Sequence, residues 1–316
     1  DFFRNDITRL LGYASTSPLA IYETRPINGG HYYRRGWELM VDTKNLVGEF
    51  TWDTSLTFSK TNSFWKERLP NYDYQIYQQR ENEPMSAYYY YNVTGIINTD
   101  RSNMPESQKT LQAEAQLPGC PIIEDKNKDG KIDENDVYMK DNSPAIYVGI
   151  GNTFTYKRFE FSFFMYGQFG IQKYNIAYSA AQAGPLAVDY PENSNKFAYR
   201  LWNSQTNPNG SRPGLTIGKM GALPGNAWVN ADRENASFMR MRNITLAYNL
   251  AGNILGSLQR YVRNIKVYVD AQNPFILTKF QGFDPEIYTG GGGASGGSRG
   301  EYPQTRTFSL GANITF

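Results

Sequence analysis

Thr307-Phe308-Ser309-Leu310-Gly311-Ala312-Asn313-Ile314-Thr315-Phe316 alternates without a miss: Phe308, Leu310, Ala312, Ile314 and Phe316 are apolar, the residues between them small or polar. Successive side chains of a strand point to opposite faces, so this ribbon has one apolar side and one wet side. Ten residues of that kind reach across a bilayer at a tilt, with one face to lipid and the other to a polar lumen.

Working outward, the same period recurs. Ile265, Val267, Val269 and Ala271 alternate with Lys266, Tyr268, Asp270 and Gln272; Ile244, Leu246 and Tyr248 alternate with Thr245 and Ala247. Phe159, Phe161, Phe163 and Met165 face away from Glu160, Ser162, Tyr166 and Gln168, and Ile146, Val148, Ile150 and Phe154 face away from Gly149, Gly151 and Thr153. Phe50, Trp52, Leu56 and Phe58, then Trp37, Leu39 and Val41, complete the set with Phe2 to Leu10. These read as spanning strands over about 2–10, 35–44, 50–60, 146–156, 159–169, 238–249, 265–272 and 307–316. The fold class is all-β, a transmembrane antiparallel barrel wall, and Phe316 is the expected C-terminal signal for the barrel assembly machinery.

Connections set the direction. Residues 45–48 and Lys157-Arg158 are tight turns, whereas 12–33, 61–144, 171–235 and 274–302 are long, and such barrels keep short turns inside and long loops outside. The long connections are therefore expected to be extracellular. Met85 to Val93 is strand-like but cannot span, because its neighbours already run in opposite directions; it belongs to a hairpin or lid. Leu255, Leu258 and Val262 suggest a short interfacial helix within 250–263.

Bulk properties agree with a barrel. The 316 residues are 40% hydrophobic, with a mean hydropathy of −0.58. No apolar run approaches the roughly 18 to 20 residues of a membrane helix. The 24 Tyr and 18 Phe suit interfacial girdles. A net charge of +2 without a basic block argues against nucleic acid, and one Cys with one His permits neither an intrachain disulfide nor a His-based metal cluster. The opening Asp1-Phe2-Phe3 reads as the middle of a strand, so the chain is expected to be a C-terminal piece of a longer polypeptide.

One motif carries metal chemistry. Asp125-Lys126-Asn127-Lys128-Asp129-Gly130-Lys131-Ile132-Asp133 follows the spacing of a calcium loop, with Asp125, Asn127, Asp129, the Lys131 carbonyl and Asp133 as hard oxygen ligands and Asp136 at the twelfth position. A bound Ca2+ and a metal-free Asx-rich turn are both open. Gly290–Gly300 lacks the Lys-Ser/Thr of a phosphate loop and reads as a flexible linker. The Tyr88–Tyr91 run suits either sugar stacking or packing. Acidic pairs such as Glu81 and Glu83 are expected to be solvated rather than catalytic, and no enzyme is expected.

Taken together, Met241-Arg242-Asn243-Ile244-Thr245-Leu246-Ala247-Tyr248, Val267-Tyr268-Val269-Asp270-Ala271-Gln272-Asn273, Phe283-Asp284-Pro285-Glu286, Tyr302-Pro303-Gln304-Thr305-Arg306 and the Asp125–Asp136 loop resemble SusC/RagA-type TonB-dependent outer-membrane transporters. The resemblance implies a barrel of about 22 strands around a plug, of which this chain holds the last eight or so. It also implies a SusD-like surface lipoprotein partner, the TonB-ExbB-ExbD complex as energy source, and oligosaccharide or oligopeptide cargo. Ser86 and Tyr90 depart from the family's glycines. Lumen-facing Glu160, Tyr166, Gln168, Tyr268 and Asp270 are candidates for the substrate path. The alternative is a secreted β-sandwich carbohydrate-binding or adhesin domain with a calcium loop, whose apolar faces would pack on each other instead of on lipid.

Overall fold

The computed structural model describes residues 1–15, 24–69, 74–78, 82–175, 198–214, 220–221, 223–231, 233–282, 284–286 and 303–316. Gly290–Gly300, Glu81, Phe283 and Tyr302 lie outside them.

The alternating segments join into one antiparallel sheet in chain order. Its spanning strands are β1 (Phe2–Ser15), β2 (Thr24–Leu46), β3 (Phe50–Glu67), β8 (Ile146–Tyr156), β9 (Phe159–Phe169), β13 (Phe238–Ala251), β14 (Asn264–Gln272) and β16 (Thr307–Thr315). A short β15 (Ile276–Thr278) also pairs with β13. The intervening strands β4 (Ala87–Tyr91), β5 (Val93–Ile96), β6 (Pro121–Ile123), β7 (Tyr138–Asp141), β10 (Gln172–Tyr174), β11 (Trp228–Val229) and β12 (Arg233–Asn235) form three small sheets apart from the wall. Met85–Val93 thus adds no spanning strand, as strand parity requires, although Met85 N donates to Ser63 O at the end of β3.

Register makes the two faces explicit. Leu46, Trp52, Phe154, Phe161, Leu246, Val269 and Leu310 are successive cross-strand partners, and the adjacent row reads Lys44, Asp53, Thr153, Ser162, Thr245, Asp270 and Ser309. One row is apolar throughout and the next is polar throughout. The apolar face is uncovered: Leu246 is 49% exposed, Val269 52% and Leu310 82%. A β-sandwich would bury these side chains under a second sheet, so the sandwich expectation gives way to a wall that meets lipid. The sheet ends on unpaired β1 and β16 among the described residues. In hydrocarbon every backbone group needs a partner, so a wall of this kind is complete only when both edges are paired. Among the described residues no helix is long and apolar enough to cross a membrane, which leaves crossing by strands untouched.

Several strands outrun their sequence patterns. β1 reaches Ser15 and β2 begins at Thr24, so the expected connection 12–33 is largely strand; β3 continues to Glu67, seven residues past the predicted end at 60. Backbone pairing continues above an apolar band even where alternation lapses, as at Gly29-Gly30 and Arg34-Arg35. Residues Gly252–Arg260, where the sequence suggests a short interfacial helix, form a short helix of the 3-10 type interrupted at Gly256.

The long connections build a second body with a core of its own. Tyr91, Ile97, Leu111, Cys120, Ile123, Ile132 and Val137 of the 68–145 connection pack with Met220, Leu223 and Ala227 of the 171–237 connection. The wall contributes nothing to that cluster.

Candidate functional site

The inner face of the wall is polar because alternate residues of every strand point there, and its side chains are cross-linked. Glu160 accepts from Lys266 Nζ at 2.9 Å with both oxygens, and Asp270 accepts from Thr245 Oγ1 at 2.6 Å. Tyr268 lies over Gly311, where a Cβ would fall 2.5 Å from its ring, so glycine is what lets that ring lie flat on the sheet. Tyr166 and Gln168 share this face, opposite Gly149 and Tyr147. The five residues predicted for the substrate path thus stand on one face, but at least three are engaged with wall neighbours.

Sequence reasoning passed over the most concentrated charge on this face. Arg240 is 4% exposed and pairs with Asp284, at 2.6 Å, and with Glu286. Arg242 bonds Glu286 Oε1 at 3.0 Å, the Tyr166 hydroxyl at 2.9 Å and Asn273 Oδ1 at 3.2 Å. A bulge between Met241 and Asn243 lets both arginines serve one network. Asp284 also accepts from the Glu286 and Gln304 amides, so this network ties the residues after β15 and before β16 to the wall. The signal was present in Asp284-Pro285-Glu286, but nothing local says that its partners lie 44 residues upstream.

In the loop body, the 125–136 segment is organised by its own amides. Asp125 accepts from Lys128 N and Gly130 N at 2.7 and 2.9 Å, Asn127 from Asp129 N, Asp129 from Lys131 N, and Asp133 from Asn135 N. Gly130, at φ +85°, makes the sharp turn. Asp136 is fully buried and accepts from Lys126 N and Asp133 N. The donors are hard oxygens of the right kind for calcium, but they face the loop's own backbone. Among the described residues no three acidic, His or Cys side chains converge as a metal-holding group.

The tyrosine run is packed. Tyr88, Tyr90 and Tyr138 stack at 5.3 and 5.8 Å, with the Arg233 guanidinium 3.7 Å over Tyr88 and Lys126 Nζ 4.6 Å over Tyr138. Ring faces covered by rings and cations offer little area for stacking a sugar. Tyr91 is buried, its hydroxyl donating to the carbonyls of Asp133 and Pro224, and burial pushes its phenol well above the usual range. Glu83, expected to be solvated, is 1% exposed and paired with Arg68. Burial also works against the charge of Asp141, yet hydrogen bonds from Ser86, Ser143 and Asn62 hold its carboxyl below the ordinary value.

No protein-family model matches the chain. It is 26% identical over 310 residues to TonB-dependent receptor P3 of Formosa agariphila, covering 92% of this chain and 29% of that protein. It is 27% identical over 297 residues to TonB-dependent receptor SusC of Bacteroides thetaiotaomicron, covering 92% of this chain and 27% of SusC. The chain thus spans under a third of the length of these curated relatives. Among solved structures, the RagAB peptide transporter superposes on the whole chain with a TM-score of 0.72 at 20% identity, over 32% of that chain. The RagAB peptide importer in its closed-closed state gives 0.71 at 18% identity. The resemblance to SusC/RagA-type TonB-dependent receptors is therefore shown in sequence and in fold. The sheet is a wall of the outer-membrane barrel type, and the relatives are receptors and transporters, not enzymes.

Proposed function

We propose that the wall formed by this chain belongs to a TonB-dependent transporter that brings nutrient oligomers across the outer membrane. The observation that carries the reading is the pairing of an unbroken apolar row with an adjoining polar row across the wall, in a chain similar to TonB-dependent receptors over 92% of its length. The long connections between β3 and β8 and between β9 and β13 face outside, and their folded body stands at the mouth, where a SusD-like lipoprotein docks. TonB-ExbB-ExbD supplies the energy through parts beyond this chain. Oligosaccharides are the first cargo class and oligopeptides the second. Glu160, Tyr166, Gln168, Tyr268 and Asp270 line the path on the inner face.

The test uses the full-length protein in its own cells. Labelled oligosaccharide or oligopeptide uptake should depend on the protein and collapse when TonB is deleted or the proton gradient dissipated, and a SusD-like lipoprotein should co-purify in mild detergent. Uptake that persists without TonB would overturn the proposal.

A calcium ion at Asp125, Asn127, Asp129, Lys131, Asp133 and Asp136 is a separate proposal that rests on ligand spacing. A saturable, chelator-reversible gain in loop protection with calcium supports it; no response at millimolar calcium overturns it.

A further inference from the structure

Row by row, the outer face of β2 and β3 changes character toward the long connections. Val41 opposite Leu56 and Leu39 opposite Phe58 are apolar. The next row is Phe2, Trp37 and Lys60, and the one after it Arg4, Arg35 and Asn62. Trp37 lies nine residues from Leu46 at the tight-turn end. At about 3.3 Å per residue and a tilt near 40°, that is roughly 23 Å of height, close to the ~25 Å apolar band of such barrels. Trp37 thus falls at the far membrane border, and the cations sit immediately above it, at headgroup level.

These residues line an open cavity of about 860 Å³. Arg4 and Arg35 are directly opposed on adjacent strands, an arrangement that is unfavourable unless an anion answers it. Arg4 has Asp6 at 2.9 Å, but among the described residues neither Arg35 nor Lys60 is within ion-pair distance of a carboxylate. Arg35 is held by stacking, its guanidinium 5.1 Å over the Phe64 ring. Asp141 also lines the cavity, with oxygens already accepting from Asn62, Ser86 and Ser143.

We propose that this cavity binds the phosphorylated headgroup of an outer-leaflet lipid, with Arg35 and Lys60 on the phosphate, Asn62 beside it and the acyl chains running down the Leu39–Phe58 face. Guanidinium and ammonium groups at a bilayer border gain most from phosphate oxygens. A free anion would use the charges alone, whereas a lipid also uses the aromatic and apolar rows below them. The proposal rests on the outward-facing topology put forward above.

The experiment takes the full-length protein, delipidated in mild detergent, and counts retained lipid by native mass spectrometry after adding phosphorylated lipid A, dephosphorylated lipid A or inorganic phosphate. Phosphorylated lipid should bind at defined stoichiometry and the dephosphorylated form about tenfold or more weakly. The Arg35→Gln, Lys60→Gln double variant should lose a similar factor, and Lys60→Arg should retain binding. Heat-modifiable migration establishes that each variant is folded. Equal retention by the double variant, or displacement of lipid by millimolar phosphate, would overturn the site. Topology is read separately from a Lys128→Cys label in intact cells. Lipid binding that persists when this cysteine is sealed from outside would overturn the outer-leaflet assignment and the topology together, while labelling from outside with no lipid retention would sink the site alone.

Discussion

The wall and the loop body obey opposite rules although one chain makes both. In the wall, large apolar side chains are exposed, as Phe308 is at 73% and Leu310 at 82%, and order comes from cross-strand ladders with lipid as the apolar solvent. In the loop body, Tyr91, Ile97, Ile123 and Val137 are buried in a core like that of a water-soluble domain, and polar side chains such as Asp136 enter it on hydrogen bonds. Gln108 shows the second rule: fully buried, its amide donates to the Ala115 and Pro121 carbonyls and accepts from Ile123 N. The same hydrophobic residue is thus correct outside in one region and correct inside in the other. Only the neighbouring solvent decides.

Four outcomes would break or sharpen that contrast. Leu246→Arg puts a charge in the middle of the lipid face and should cost about 2–4 kcal/mol, seen as loss of the heat-modifiable folded band, while Ser162→Arg on the inner face of a neighbouring strand leaves that band intact. If both substitutions behave alike, the two faces have been assigned wrongly. Gln108→Ala leaves three buried backbone groups without partners and should cost the loop body about 1–3 kcal/mol. Limited proteolysis should then cut within 97–137 while barrel migration is unchanged; coupled loss of both would show that the two regions fold as one.

Acid offers a gentler separation. The folded Asp141 carboxyl lies below its unfolded value, so its contribution is fully present above the unfolded pKa of about 3.9 and fades as pH falls through the lower folded value. Hydrogen exchange around 86, 141 and 143 should therefore rise only below about pH 4, with wall amides unaffected. Asp141→Asn should remove that step. Smallest of all, Glu160→Gln breaks a partly exposed pair with Lys266 and should change stability by well under 1 kcal/mol, with thermal denaturation in detergent nearly unchanged. A large effect would mean that the inner face is drier than its side chains suggest.

Legibility followed the same divide. Each wall strand was readable because pairing repeats a two-residue rule locally, and the apolar and polar rows are that rule copied across neighbours. The eight long strands appear in the expected order, with β1, β2 and β3 understated toward the long connections because pairing outlasts alternation there. Glu160, Tyr166, Gln168, Tyr268 and Asp270 share one face for the same reason. What was missed needs distance: the Arg240–Asp284 pair spans 44 residues and the Tyr91–Pro224 hydrogen bond 133. Glu83 looked like any loop carboxylate until Arg68 closed over it.

By itself, then, the sequence determined the wall: its all-β class, which residues face lipid, and the family it resembles, because period and local composition are properties of a few consecutive residues. The tertiary structure alone decided the loop body, the charge network around Arg240 and Arg242 and the meeting of Arg4, Arg35 and Lys60 on the opposite face. Those depend on which distant segments meet, and burial, pairing and desolvation have no meaning until they do.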